Sequence, residues 1–173
     1  MHLICLKNKQ EIFTIFMNFL DSHKISNSVD LKDFLNSFDT KGNTPIMYSV
    51  VNDNIIMIWK LVEIGVDLEI KNKKNKNLLH ISIESGSNKS FLYLNKYLDL
   101  NETDDRLYTP LILAAHYNRI EMVRCLLDLL VDIEKSDIDG NTALHHSIIN
   151  NNFRCVKMLL TYGACEMIKN KTG

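Results

Sequence analysis

Four stretches of this chain open alike, and their spacing limits the fold more than any other feature. They begin at Asp39, Asn72, Asp104 and Asp137, and within them Thr44, Asn77, Thr109 and Thr142 fall at intervals of 33, 32 and 33 residues. A fixed period of this size is the mark of a repeat architecture. Each unit is one supersecondary piece that cannot bury its own apolar face, so neighbours must stack to make a core.

The agreement continues inside each unit. Two residues after the equivalent position stand Ile46, Leu79, Leu111 and Leu144; five and six after it stand Ser49-Val50, Ser82-Ile83, Ala114-Ala115 and Ser147-Ile148. These small or apolar residues read as the inner face of a short helix. Polar breaks follow at Asn52-Asp53-Asn54, Gly86-Ser87-Asn88, Asn118-Arg119 and Asn150-Asn151-Asn152. A second helix then presents Ile58, Phe91, Val123 and Val156, each three residues before Leu61, Leu94, Leu126 and Leu159. That spacing puts both residues on one helical stripe. The order per unit is turn, helix, turn, helix, and the stripe residues are expected to be buried between layers.

The pattern resembles the ankyrin repeat, whose signature runs D-x-x-G-x-T-P-L-H-x-A-A and ends in V-x-x-L-L-x-x-G. The fourth unit matches best, with Asp137, Gly140, Thr142, Leu144 and His145, then Val156, Leu159, Leu160 and Gly163. The third carries Thr109-Pro110-Leu111 and Ala114-Ala115; the first carries Gly42, Thr44-Pro45 and Gly65. The second keeps Leu79-His80 and lacks the Thr-Pro pair. The resemblance implies an all-α solenoid of stacked antiparallel helix pairs with β-hairpin-like finger turns. It divides the chain, as one domain over 1–173, into repeats 39–71, 72–103, 104–136 and 137–169. Residues 1–38 read as a divergent first repeat: His2 aligns with Met47 if an insertion lies within 21–38, where Ser28 to Leu35 is expected to form an extra helix. Residues 170–173 read as the opening turn of a further repeat. The chain thus starts inside one unit and stops inside another, and is expected to belong to a longer protein.

The second unit is expected to be the weakest internal one. It is one residue short, it has Asn95 where the others have Val62, Leu127 and Leu160, and it aligns Leu98 with a helix-ending glycine. A left-handed leucine there costs roughly 1 kcal/mol.

Composition agrees with a single domain that has a continuous core, at 46% hydrophobic and 24% charged residues. A net charge of −1 supplies no general attraction to nucleic acid or anionic membranes. Cys5, Cys125, Cys155 and Cys165 show no paired spacing, which points to a reducing compartment with Cys125 and Cys155 as buried thiols. The apolar run Ile12 to Leu20 lacks a small-residue cleavage site and fits the repeat pattern instead. A cytoplasmic location follows, with no membrane-inserted segment, and the sequons at Asn88, Asn101 and Asn170 read as chance in an Asn-rich chain.

No catalytic constellation stands out, no phosphate-cradling glycine loop is present, and no cofactor or metal is expected. His80 and His145 match the histidine of the T-P-L-H signature, and the resemblance gives them a structural role tying neighbouring turns. His116 and His146 sit at variable positions of the first helix that the resemblance turns toward the groove. It also makes fingertips and inner helix faces the partner surface: Lys41; Lys73, Lys74 and Lys76; Asp105, Arg106 and Tyr108; Asp139 and Asn141; then His116, Tyr117 and His146. One finger is lysine-rich and the two after it are aspartate-rich. Opposed charge along one edge sets a partner's register and on-rate more than its affinity, and aromatic anchors such as Tyr108 and Tyr117 are frequent hot spots. The expected function is a non-catalytic protein-interaction module, a scaffold, adaptor or targeting arm, that binds a protein or peptide as a monomer and does not bind nucleic acid. The alternative is the regulatory or substrate-recruiting segment of a larger enzyme or channel, such as an ankyrin-repeat palmitoyltransferase.

Overall fold

A computed structural model of the chain describes residues 1–22 and 29–172. Among them the elements are helices α1 (His2–Leu6), α2 (Gln10–Ser22), α3 (Val29–Asn36), α4 (Pro45–Val51), α5 (Ile55–Ile64), α6 (Leu78–Ser85), α7 (Asn88–Leu94), α8 (Pro110–His116), α9 (Ile120–Asp128), α10 (Ala143–Ile149) and α11 (Phe153–Thr161). Strand pairing among the described residues is limited to an isolated antiparallel bridge between Ser136 and Thr142. The protein is therefore all-α. Of the expected extra helix, Ser28 lies outside the described residues and α3 covers the rest.

The helices pair and stack as the period requires. Within units, α1 meets α2, α4 meets α5, α6 meets α7, α8 meets α9 and α10 meets α11. Between units, the first helices form a continuous inner row α1, α4, α6, α8, α10, while α5 packs on α7 and α9 on α11. Ile58, Leu61, Leu94, Val123, Leu126 and Leu159 are buried in one core, with Val156 partly buried against it. Ile148 departs from its equivalents Val50, Ile83 and Ala115: they are fully buried, and it is exposed because α10 is the last inner helix of the row. The helix α3 packs on α4 and contributes Leu31 and Leu35 to the core.

Local chemistry sets the helix starts. The Thr109 hydroxyl accepts from the Ile112 amide at 3.2 Å. In the second unit Asn77 replaces the threonine, and its Oδ1 accepts from Leu79 and His80 amides at 3.0 and 3.1 Å. Asparagine caps at least as well as threonine, so the missing Thr-Pro pair costs little. Across units, a residue from the break caps its neighbour: Ser87 donates to Val51 O, Arg119 to Ile83 O and Glu84 O, and Asn152 to Ala115 O. Asp53 works in the opposite direction, its carboxylate accepting from the amide and hydroxyl of Ser90 at 2.7 and 2.8 Å near the start of α7.

The expectation for Leu98 needs correcting. Buried Leu94 and Leu98 are four residues apart, whereas Leu61–Val66, Leu126–Val131 and Leu159–Ala164 are buried pairs five apart. The residue missing from the second unit is thus the left-handed turn residue itself, and Leu98 fills the core position next to it. The site that carries the conformational cost is Leu130, at φ 56°, where the first and fourth units have Gly65 at 84° and Gly163 at 91°.

Candidate functional site

Each finger is built on its first residue. One carboxylate or amide oxygen of Asp39, Asn72, Asp104 and Asp137 accepts the backbone amides two and four residues on, at 2.8 to 3.1 Å. Two backbone amides donating to one side-chain oxygen, an Asx-type turn, fix each tip in the same shape. The tips are joined by single backbone bonds: Asp105 N–H donates to Lys74 O, Ile138 N–H to Arg106 O and Lys171 N–H to Asp139 O. From the second finger to the first, the Lys73 ammonium reaches Thr40 O at 3.0 Å.

The second oxygen of the leading aspartate is free for the residue nine positions on. In the first unit Tyr48 donates its hydroxyl to Asp39 Oδ2 at 2.5 Å. In the fourth, His146 Nε2–H donates to Asp137 Oδ2 at 2.7 Å. Burial works against ionising Asp137, but amides of Asn141 and Asp139 and the His146 ring outweigh it and hold its carboxyl below the ordinary range. The equivalent residues in the middle units are Ile81 and Leu113, which cannot donate.

The inner ends of the third and fourth units carry a ring cluster. The Tyr108 ring meets His146 edge-on at 5.0 Å between centroids, His116 meets Tyr117 at 4.9 Å, and His116 meets His146 at 5.3 Å. The two facing Nδ1 atoms, of His116 and His146, are 3.3 Å apart. Burial lowers the His116 pKa below its ordinary value, and the nearby His146 and Arg106 push it the same way. Burial raises Tyr108 and Tyr117, with Asp137 adding to the first and Glu84 to the second.

In front of this cluster lies an open cleft of about 370 Å³ between the second and third fingers, with Lys74 and Arg106 at its rim and Tyr108, His116 and Tyr117 along its wall. Its far wall is closed by an ion pair, Lys76 Nζ to Glu84 Oε1 at 2.6 Å, to which the Tyr117 hydroxyl adds a long contact at 3.3 Å. Lys41, Lys73 and Lys74 line an adjoining cleft of about 410 Å³ toward the first finger.

The sequence-derived surface therefore divides. Lys41, Lys73, Lys74, Asp105, Arg106, Tyr117 and Asp139 are exposed, and Tyr108, His116 and Asn141 are half-buried. Lys76, in its ion pair with Glu84, and His146, hydrogen-bonded to Asp137, are buried, so a ligand would reach them only through Glu84 and through His116. Asn141 is also engaged, accepting from Asn170 at 2.7 Å. Sequence reasoning left out Glu84 and Asp104, which line the cleft; the nine-residue spacing of Asp137 and His146 was the available signal for the buried pair. His80 sits where expected, its ring bonded to Asn77 Oδ1 at 2.6 Å and Tyr108 O at 2.8 Å. His2 makes a like contact with Asn43 O at 3.1 Å, one residue before Thr44 as Tyr108 is before Thr109. Among the described residues, no group of three or more His, Cys, Asp or Glu is placed to hold a metal ion, and no helix is long and apolar enough to cross a membrane.

Residues 89–170 match the family described as Ankyrin repeats (3 copies). Dog inversin is 29% identical over 141 residues, which is 80% of this chain and 13% of inversin. Human inversin is 28% identical over 127 residues, 72% of this chain and 12% of that protein. The palmitoyltransferase AKR1 of Lachancea kluyveri is 26% identical over 135 residues, 75% of this chain and 18% of the enzyme. The chain thus spans less than a fifth of the length of each of these relatives.

Proposed function

This chain is an ankyrin-repeat protein, and from that premise we propose that its finger edge is the face that binds a protein or peptide. Repeats of this kind are protein-interaction modules. The observation that carries the choice of face is the cleft between the second and third fingers, where exposed Lys74 and Arg106 flank a wall of Tyr108, His116 and Tyr117. Rigid aromatic surface beside accessible cations is the composition of an interaction hot spot. The aspartates at the third and fourth fingertips, Asp105 and Asp139, are exposed and oppose the lysine-rich second finger, which gives a bound segment one preferred direction. The location goes with this reading: a cytoplasmic domain acting as scaffold, adaptor or targeting arm, without catalysis.

A second reading rests on the likeness to AKR1. There the same face recruits substrates or regulators for a larger enzyme of which this chain is one segment.

The test uses a captured partner and three forms of the domain. Lys73→Glu with Lys74→Glu is expected to slow association and flatten its salt dependence. Tyr117→Ala is expected to act on dissociation and cost about 2 kcal/mol or more. Unchanged affinity in both, with melting temperature intact, would move the binding face away from the fingers.

A further inference from the structure

The finger edge holds more positive charge than its own ion pairs consume. Lys71 is neutralised by Glu102 and Lys76 by Glu84, each at 2.6 Å. Lys41, Lys73, Lys74 and Arg106 are exposed and form no ion pair among the described residues. Lys73 bonds only to a carbonyl, Thr40 O at 3.0 Å, which leaves its charge uncompensated. These cations are not spread evenly. The cleft toward the first finger sets Lys41, Lys73, Lys74 and Lys76 against one carboxylate, that of Glu84. The adjoining cleft shares Lys74 with it, sets Asp104 and Asp105 beside Arg106, and carries the wall of Tyr108, His116 and Tyr117. In a chain of net charge −1, one cleft is thus an anion seat and its neighbour a seat for a flat apolar side chain.

Resting on the finger-edge reading, we propose that the partner presents an extended acidic segment. A pair of Asp or Glu side chains lies over Lys41, Lys73 and Lys74, and an aromatic side chain about three residues further on lies against Tyr117 and His116. Stacked helices are about 8–10 Å apart, and the fingers that continue the inner helices share that step. An extended chain of threefold period advances about 9 Å in three residues and returns its side chain to the same side. Carboxylates facing exposed ammonium groups set register and speed association, and the aromatic contact is the anchor. A polynucleotide fits less well, because its uniform negative charge would cross Asp105 and, one finger on, Asp139, both exposed.

The probe is a fluorescein-labelled peptide with the order Glu-Glu-Pro-Pro-Tyr between Gly-Ser flanks, titrated into the whole chain by fluorescence anisotropy. Saturable one-to-one binding is expected, at least tenfold weaker when lysines replace the glutamates. Lys41→Glu with Lys74→Glu should weaken it at least tenfold, and the milder Lys41→Gln with Lys74→Gln should act in the same direction. Lys89→Glu with Lys157→Glu, an equal change of charge on α7 and α11, should leave it unchanged. Tyr117→Ala should weaken the tyrosine peptide and not its alanine analogue, a coupling that long-range attraction alone does not produce. Absence of saturable binding, equal binding of the lysine peptide, equal loss in the α7 and α11 variant, or displacement by an oligouridine of the same charge would each overturn the acidic segment. A captured partner that Lys73→Glu with Lys74→Glu releases, but that the peptide fails to displace, would keep the finger edge and overturn the acidic class. A captured partner that ignores that substitution would overturn both.

Discussion

Leu107 and Leu130 hold left-handed backbone angles, at φ 59° and 56°, that only glycine adopts without penalty. Leu130 is 88% exposed, so its side chain returns almost no burial in exchange. Replacing it with glycine, as at Gly65 and Gly163, is expected to stabilise the protein by about 0.5–1 kcal/mol after the extra freedom of an unfolded glycine is counted, and urea denaturation would register it. Asp39 gives a pH signature. Burial opposes its ionisation, but the Tyr48 hydroxyl and the Asn43 and Lys41 amides prevail and lower its pKa below the ordinary value. A carboxylate depressed in the folded state contributes stability that is present above its unfolded pKa, about 4, and is lost as pH falls through the folded value. Asp39→Asn keeps the turn and removes the titration, so its melting temperature should fall less steeply than the parent's below about pH 4. At this scale the fingertips, the tether made by His80 and the exposed cations were legible from one-dimensional spacing, whereas His145, expected to tie a neighbouring turn, bonds to Thr142 of its own unit. The buried state of His146 and Lys76 was not, because it depends on which partner an ionic group finds across nine or eight residues of turn and helix.

Among the elements, α7 differs most from its counterparts. It has seven residues where α5, α9 and α11 have ten, nine and nine, and ends at Leu94. It also borders a cleft of about 240 Å³, formed by its Asn88, Phe91 and Leu92 with Glu121 and Met122 of α9. Its entry is held by a residue of the preceding unit, the Asp53 carboxylate on Ser90. Asp53 is itself left-handed at φ 50°, so Asp53→Gly keeps the backbone and deletes only the cap. A cost of about 1 kcal/mol is expected, together with faster amide exchange through residues 88–98 and little change in α9. Faster exchange confined to residues 52–56 would show that the cap is not what holds α7. Helix order, helix pairing and the inner stripe were readable because side-chain period determines them. The second unit was misaligned by one residue at Leu98, since an apolar residue in the turn and one in the core look the same until the burial partners are known. Leu94 and Leu98 are both buried in that unit, and this removes one of the reasons for expecting it to be the weakest internal one.

Over the whole molecule, stability is a sum of unit and interface terms, and His80 belongs to an interface: fully buried, it joins α6 to the third finger through Tyr108 O. His80→Ala strands that carbonyl, while Asn77 Oδ1 keeps its two backbone amide donors, and is expected to cost about 1–3 kcal/mol. The loss should also separate the two halves. Trp59, the sole tryptophan, lies in α5 before the break, so its fluorescence and the far-ultraviolet dichroism should give coincident urea transitions in the parent and non-coincident ones in the variant. The stacking of helix pairs was visible from the period; the joints between the fingers were not, because they are made by backbone groups that carry no sequence label. Those joints have a mechanical consequence. The second, third and fourth fingers and the turn at Lys171 are pinned in series through main-chain amides, whereas the first and second are joined by a lysine side chain, and no main-chain bond links them among the described residues. A row of levers pinned in this way is a stiff rail with one compliant end. A segment lying along the rail meets fixed spacing, and a segment that continues to Lys41 has to spend part of its binding energy in stilling the loose joint.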